Sequence, residues 1–181
     1  MNILFINGSP EANGNTAALA QTLLKGYEYK TLNLVEYRIN VFGQKLPGDQ
    51  FEEVLDRIRE ADVLVIGSPV YWHNICGSVR TLLDRFYGPV EEGSLKGKLF
   101  FLFQGAAPEK WMLEAGDYTM DRFARLYGLT SKGWPPIRKR QRHWRPKSGK
   151  ETQYGRSNLE QWNHHAAGRL RCFPDYGSTG M

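Results

Sequence analysis

Short apolar runs alternate with amphipathic helical patterns along the first 133 residues, and this alternation constrains the fold more than any other feature. The predicted strands are, in chain order, the apolar run NILFI, the partly alternating KTLNLVEY, the apolar runs DVLVIGSP and KLFFLFQG, and the short LTSKG. The segments between them place apolar residues at helical spacing, as NTAALAQTLLKGY does. Buried strands that alternate with helices predict a parallel sheet covered on both faces. We therefore predict an α/β, doubly wound fold that binds ligands beyond the carboxyl ends of its strands.

The ends of two predicted helices carry charged residues. Asp49 is predicted to cap the helix in DQFEEVLDRIREA, with Glu52 completing a capping box. Asp84 and Arg85, in LLDRF, favour a helix-end ion pair or an interface contact over catalysis.

The balance of basic and acidic residues changes at Gly133. Residues 1–133 hold 14 Lys and Arg against 16 Asp and Glu, whereas residues 134–181 hold 10 against 3 and lack an apolar period. We therefore expect a folded domain over 1–133 and a basic, disordered tail over 134–181. A doubly wound sheet needs a helix after its fifth strand, and the tail encodes none. A shift of reading frame at Gly133 is our hypothesis for its loss.

Partners and location follow from the same composition. Basic residues interleaved with Trp134, Trp144 and Trp162 leave RNA or membrane binding by the tail open, but charge runs are usually solvated and we do not expect a nucleic-acid partner. Cys76 and Cys172 fit no metal-ligand spacing, so we predict neither a metal site nor a disulfide. Without a segment of roughly 20 apolar residues, we expect a cytoplasmic protein with no membrane part.

The loop after the first apolar run has the composition of an anion site. Ser9 and Thr16 offer hydroxyl groups, and Asn13, Gly14 and Asn15 present backbone amides at a helix N-terminus. The loop has neither the lysine of a Walker loop nor GxGxxG spacing, which disfavours ATP and a dinucleotide fold. An ordinary capped turn that binds nothing stays open.

The loop GSPVYWHNICGS, at the end of the third predicted strand, places large aromatic residues where the chain should reach the solvent-exposed surface. Pro69 restrains this loop, and the rings of Tyr71 and Trp72 suit stacking on a flat heterocycle. A subunit interface is the alternative for these two rings. His73 could touch a ligand, although a surface histidine beside a binding loop explains it as well.

Three segments together resemble the NAD(P)H-dependent FMN reductases of the flavodoxin-like superfamily: GSPEANGNTAALA, EADVLVIGSPVYWHNICGSVRTLLDRF and KGKLFFLFQGA. The resemblance covers residues 1–133 and implies a flavodoxin-like sheet of strand order 2-1-3-4-5. It implies an FMN whose phosphate contacts Ser9, Asn15 and Thr16. Around the isoalloxazine it implies Pro69, Val70, Tyr71 and Trp72 on one side, with Gln104, Gly105 and Ala106 on the other.

Two departures from the family pattern matter. Many relatives have a basic residue where this chain has Glu11, which implies weaker binding of FMN. Relatives with an iron-sulfur cluster carry cysteines between the second strand and second helix, and this chain has none there. We therefore do not expect a cluster.

The resemblance implies an NAD(P)H oxidoreductase that passes electrons through FMN to a quinone, free flavin or other small acceptor. We assign no catalytic residue, because the flavin carries the reaction. Relatives commonly form dimers, so a homodimer is expected. A flavodoxin-like electron carrier or flavin-binding module without nicotinamide turnover is the alternative from another class.

Overall fold

The computed structural model describes residues 1–132. Its strands are β1 (Ile3–Asn7), β2 (Lys30–Asn33), β3 (Val63–Tyr71), β4 (Asn74–Ile75), β5 (Lys98–Gln104) and β6 (Thr130–Lys132). Its helices are α1 (Asn15–Leu23), α2 (Phe51–Arg59), α3 (Gly77–Phe86) and α4 (Lys110–Tyr127), with a 3-10 turn at Leu34–Glu36. The predicted tail and missing last helix lie outside the described residues, so the boundary at Gly133 stays a prediction.

Five parallel strands form the sheet in the order β2-β1-β3-β5-β6, and the short β4 pairs antiparallel with β3. Without β4, this is the predicted order 2-1-3-4-5, so the flavodoxin-like fold is confirmed. After β1 the chain forms β2 on one side of β1. It then forms α2 and continues into β3, which pairs with the other side of β1. The loops after β1 and β3 therefore begin side by side, where such sheets bind ligands.

Two apolar clusters cover the two faces of the sheet. The larger cluster includes α2, α3 and α4, and the smaller one lies under α1. Phe86 anchors the larger cluster, because its ring packs edge-on against Phe51, Phe123 and Tyr127 with centroids 5.0–5.7 Å apart. Each aromatic pair contributes about 0.5–1.5 kcal/mol beyond its buried area, so Phe86 ties three helices to one another.

Asp49 does not act as predicted. The helix α2 begins at Phe51 with Gln50 at the capping position and no side-chain cap, so the predicted capping box was wrong. The Asp49 carboxylate instead accepts hydrogen bonds from the backbone amides of Asn40 (3.2 Å) and Phe51 (3.3 Å), and pairs with Arg85 at 2.6 Å. This pair joins α3 to the loop before α2, which confirms the predicted ion pair at the end of α3 for Arg85.

Candidate functional site

The first loop is shaped by Asn7, a buried residue at the end of β1 that the sequence interpretation missed. Its side-chain oxygen accepts the Ser9 amide at 3.1 Å. Its side-chain nitrogen donates to the carbonyl of Glu11 at 3.3 Å and to Asn33 Oδ1 at 3.2 Å. Because Asn7 is fully buried, these bonds fix the loop against β2. A lone asparagine at the end of an apolar run is the signal that could have identified it.

The loop ends at an uncapped helix N-terminus. Gly14 occupies the capping position of α1 without a side-chain hydrogen bond, and no acidic residue lies in the first turn. The first amides of a helix lack partners inside the helix and carry partial positive charge, so this terminus suits an anion. A Cβ at Gly14 would lie 2.9 Å from Glu11 Cβ, so a glycine lets the loop close tightly here.

The predicted residues of this loop have different environments. Thr16 is fully buried, and Ser9 is nearly so, with its hydroxyl oxygen accepting the Glu11 amide at 3.2 Å. The Ser9 hydroxyl proton remains available for an acceptor. Asn13 and Asn15 are exposed, and Asn13 also borders a cavity of about 210 Å³ between α1 and β2.

The second predicted loop is a hairpin, which corrects the sequence interpretation. Strand β3 continues through Tyr71, and the chain turns at Trp72 and His73 and returns as β4, with Tyr71 paired to Asn74. Trp72 and His73 both have positive φ, at 47° and 66°. Such a turn normally uses Asn and Gly, so two bulky residues here store strain of about 1–3 kcal/mol each.

The hairpin exposes two aromatic rings to solvent. Trp72 is 94% exposed and Tyr71 is 48% exposed, whereas Pro69 is buried and Val70 is half-buried. The prediction that aromatic rings stand at this rim rather than in the core is thereby confirmed. The hairpin base is fixed by Ser68, whose hydroxyl accepts the Cys76 amide at 2.9 Å.

The third segment joins the other two. Gln104, at the end of β5, donates from Nε2 to the Thr16 hydroxyl at 3.1 Å. A Cβ at Gly105 would lie only 3.1 Å from Val70 Cβ, so this segment packs closely on the base of the hairpin. The hydroxyl of Ser78 at the start of α3 donates to the carbonyl of Gly8 at 2.8 Å. The candidate residues of the three segments therefore lie along one rim of the sheet, and Ala106 is exposed there.

A separate groove lies away from this rim. A groove of about 420 Å³, which we name the α3–α4 groove, opens between those two helices. Its lining includes Phe42, Arg80, Asp84, Tyr87 and Arg122.

The described residues, 1–132, carry neither a metal-binding cluster nor a membrane-spanning helix. In that range, no group of three or more His, Cys, Asp or Glu side chains is placed to hold a metal ion. No helix of the described part is both long and apolar enough to cross a membrane.

The sheet order defines a flavodoxin-like protein, and its rim places an uncapped helix N-terminus beside an aromatic hairpin. The chain belongs to the NADPH-dependent FMN reductase family, whose sequence model matches residues 1–133. The predicted family of flavin-dependent oxidoreductases is thereby confirmed.

Individual relatives agree with this assignment. An iron-sulfur flavoprotein of Archaeoglobus fulgidus is 34% identical over 98 residues, or 47% of this chain and 48% of the relative. An NAD(P)H dehydrogenase (quinone) of Geobacter sulfurreducens is 31% identical over 81 residues, or 45% of this chain and 40% of the relative. The chain thus spans about half the length of the curated relatives it matches.

A solved structure shows the same fold. The NAD(P)H:quinone oxidoreductase from Methanothermobacter marburgensis superposes with a TM-score of 0.58 at 17% identity. The match covers 74% of this chain and 82% of that one. At this identity the likeness is one of architecture.

Proposed function

We propose that this protein is an oxidoreductase that binds FMN at the rim and passes electrons from NAD(P)H to a small acceptor such as a quinone or free flavin. The observation that carries the proposal is the meeting of three segments at one rim, through the contacts of Gln104 with Thr16 and of Gly105 with Val70. Membership of the family indicates FMN as the cofactor, and the rim has groups that suit both the phosphate and the isoalloxazine ring of FMN.

The phosphate end fits the first loop. The uncapped first turn of α1 supplies backbone amides, and the Ser9 hydroxyl can donate a proton to a phosphate oxygen. The fully buried Thr16, predicted as a phosphate contact, instead holds this turn through its bond with Gln104. Asn15, exposed at the first position of α1, can add its side-chain amide. Exposed Glu11 opposes the phosphate charge, so we expect binding that tightens when this carboxylate is neutralised.

The ring end fits the second and third segments. The backbone of Pro69, Val70, Tyr71 and Trp72 borders one side, and Gln104 and Gly105 border the other. The redox chemistry of the proposal is that of bound FMN, and the chain contributes binding, orientation and exclusion of water. No proton-transfer residue is assigned, and His73 lies beside the site in the hairpin turn.

We also propose that a second copy of the chain covers the α3–α4 groove. Phe42 and Tyr87 are 57% and 71% exposed at its edge, with their rings edge-on at 5.8 Å. Arg80, Asp84 and Arg122 line the same groove, so a two-fold contact can pair each arginine with the partner's carboxylate. Burial, followed by the charges of Glu92 and Tyr87, raises the pKa of Tyr127, a phenol in the same lining.

The oligomeric state tests the second copy. Tyr87→Asp is expected to convert a dimer to a monomer in light scattering, because it adds a charge to the groove edge. Tyr27→Asp is the matched control, since Tyr27 is also exposed, at 58%, and lies outside the groove. A wild-type monomer would contradict this part of the proposal. The cytoplasmic location stays a prediction.

Titration of the purified protein with FMN and with riboflavin tests the cofactor assignment. We expect FMN to bind at least about tenfold more tightly, because hydrogen bonds to a charged phosphate contribute about 1.5–3 kcal/mol. Equal affinities would contradict a phosphate site at α1. Tight FMN binding without oxidation of NAD(P)H in the presence of a quinone would instead identify the electron carrier.

A further inference from the structure

Two aromatic rings from distant parts of the chain meet at the candidate rim. The centroids of His73 and Trp111 lie 5.6 Å apart with a ring-plane angle of 37°. We propose that these rings form a side wall of the flavin site that holds the planar ring of a small acceptor, an inference that rests on the proposed function. Trp111 has no part in the sequence interpretation.

The pair does not belong to the core. Neither His73 nor Trp111 is a member of the two apolar clusters, and Trp111 is 51% exposed. An indole so exposed adds less to stability than a buried one, yet its position is fixed. The indole N–H donates to Glu109 Oε2 at 3.0 Å, and the indole ring packs against the ring of His73. A fixed but exposed ring surface is suited to a ligand.

The wall connects the second and third segments of the rim. His73 follows Trp72 in the hairpin turn, and Trp111 lies in the first turn of α4, just after the third segment. That segment is anchored at Gly105, where a Cβ would lie 3.1 Å from Val70 and 3.7 Å from Pro108. The two rings therefore stand beside the residues proposed to border the isoalloxazine.

The backbone of the hairpin tip also points to a ligand role. Trp72 and His73 occupy the two positive-φ positions of a two-residue turn, where Asn and Gly cost least. Strain of this kind is found where a side chain must be held in one direction for function. The turn places the exposed His73 ring beside Trp111.

A small conjugated ring is the ligand whose binding would depend most on contact with the rings of His73 and Trp111. A nicotinamide dinucleotide has a long polar portion that can bind elsewhere, so it depends less on one stacking contact. A naphthoquinone has little beyond its rings. Loss of the wall should therefore weaken the acceptor much more than NADPH.

Two variants of Trp111 in the FMN-loaded protein test this proposal. For Trp111→Ala we expect the KM for a water-soluble naphthoquinone and its dissociation constant, measured calorimetrically on the oxidised protein, to rise about three- to tenfold. Trp111→Phe keeps a ring and should stay within about twofold of wild type. Turnover with ferricyanide, which has no ring to stack, and FMN affinity should be unchanged in both.

Controls separate the possible outcomes. Tyr118→Ala removes another exposed ring of α4, 69% exposed, and should leave naphthoquinone binding unchanged. His73→Ala tests the wall from the hairpin side and should reproduce Trp111→Ala, which keeps the test decisive if one variant is unstable. Unchanged naphthoquinone binding in Trp111→Ala, or an equal loss with ferricyanide, would overturn the wall while leaving the proposed function intact. A wild-type protein that binds no FMN would instead overturn the proposed function.

Discussion

The side-chain amide of Gln104 donates to the hydroxyl of Thr16 with the two atoms 3.1 Å apart, joining the end of β5 to the first turn of α1. This bond crosses the rim between the segment proposed for the flavin ring and the one proposed for its phosphate. Thr16 itself is fully buried. The position of the helix terminus thus depends on the third segment.

Thr16→Val is therefore expected to weaken FMN binding roughly tenfold, because it removes the acceptor of the Gln104 bond that positions the first turn of α1. A fluorescence titration with FMN measures the change. Thr22→Val is the matched control, since the Thr22 hydroxyl bonds only to the Ala18 carbonyl among the described residues, at 2.9 Å. Equal effects of the two substitutions would show that the loss comes from α1 stability.

Gly116→Ala should destabilise the protein by about 1–3 kcal/mol, through overpacking against a neighbouring ring. A Cβ at Gly116 would lie 2.4 Å from Phe103 Cε1, and Phe103 is stacked on Phe101 at 5.1 Å. The free energy of unfolding in urea measures this loss. Gly77→Ala, where a Cβ would meet nothing within 4 Å, should be neutral or slightly stabilising. An unchanged unfolding midpoint for Gly116→Ala would contradict the packing of α4 on β5.

Asp49→Asn should destabilise the protein by about 1–3 kcal/mol at neutral pH, because it removes the charge that faces Arg85. Burial alone raises the pKa of Asp49, but the Arg85 guanidinium and the Asn40 and Phe51 amides outweigh it and leave the pKa below its ordinary value. The stabilisation is therefore present above the unfolded-state pKa and is lost as pH falls through the lower folded-state pKa.

Unfolding measured at several pH values checks this prediction, and the gap between Asp49→Asn and wild type should close in acid. Asp56→Asn is the control, because the pair of Asp56 with Arg59 is exposed and should contribute less than about 1 kcal/mol. A gap for Asp49→Asn that stays constant with pH would contradict the role given to its charge.

Unlike Asp49→Asn, the substitution Asp117→Asn should slightly increase the free energy of unfolding at neutral pH. Partial desolvation of the otherwise exposed Asp117, followed by the charge of Glu114, raises its pKa, so its ionised form is slightly disfavoured in the folded state. That penalty exists above the folded-state pKa and disappears as pH falls through it. Thermal unfolding at neutral and acid pH measures the difference. Asp121→Asn, which breaks a 2.8 Å pair with Arg125, should give no such gain.

The sequence could predict the sheet because continuous apolar runs report burial on both faces. That pattern placed β1, β3 and β5, the family resemblance gave the strand order, and the glycine and asparagine content placed the first loop. It could not predict the hairpin, since Trp72 and His73 lack the Asn-Gly chemistry that marks such turns. It also missed the contact of Trp111 with His73, because tertiary packing between distant segments leaves no local period.

Anaerobic addition of NADPH to the purified protein, followed by visible absorbance, tests the central claim most directly. The account predicts a protein that is yellow as purified or after FMN is added, whose colour bleaches with NADPH and returns with a quinone. A protein that stays colourless after incubation with FMN would contradict the account, because the rim would then hold no flavin.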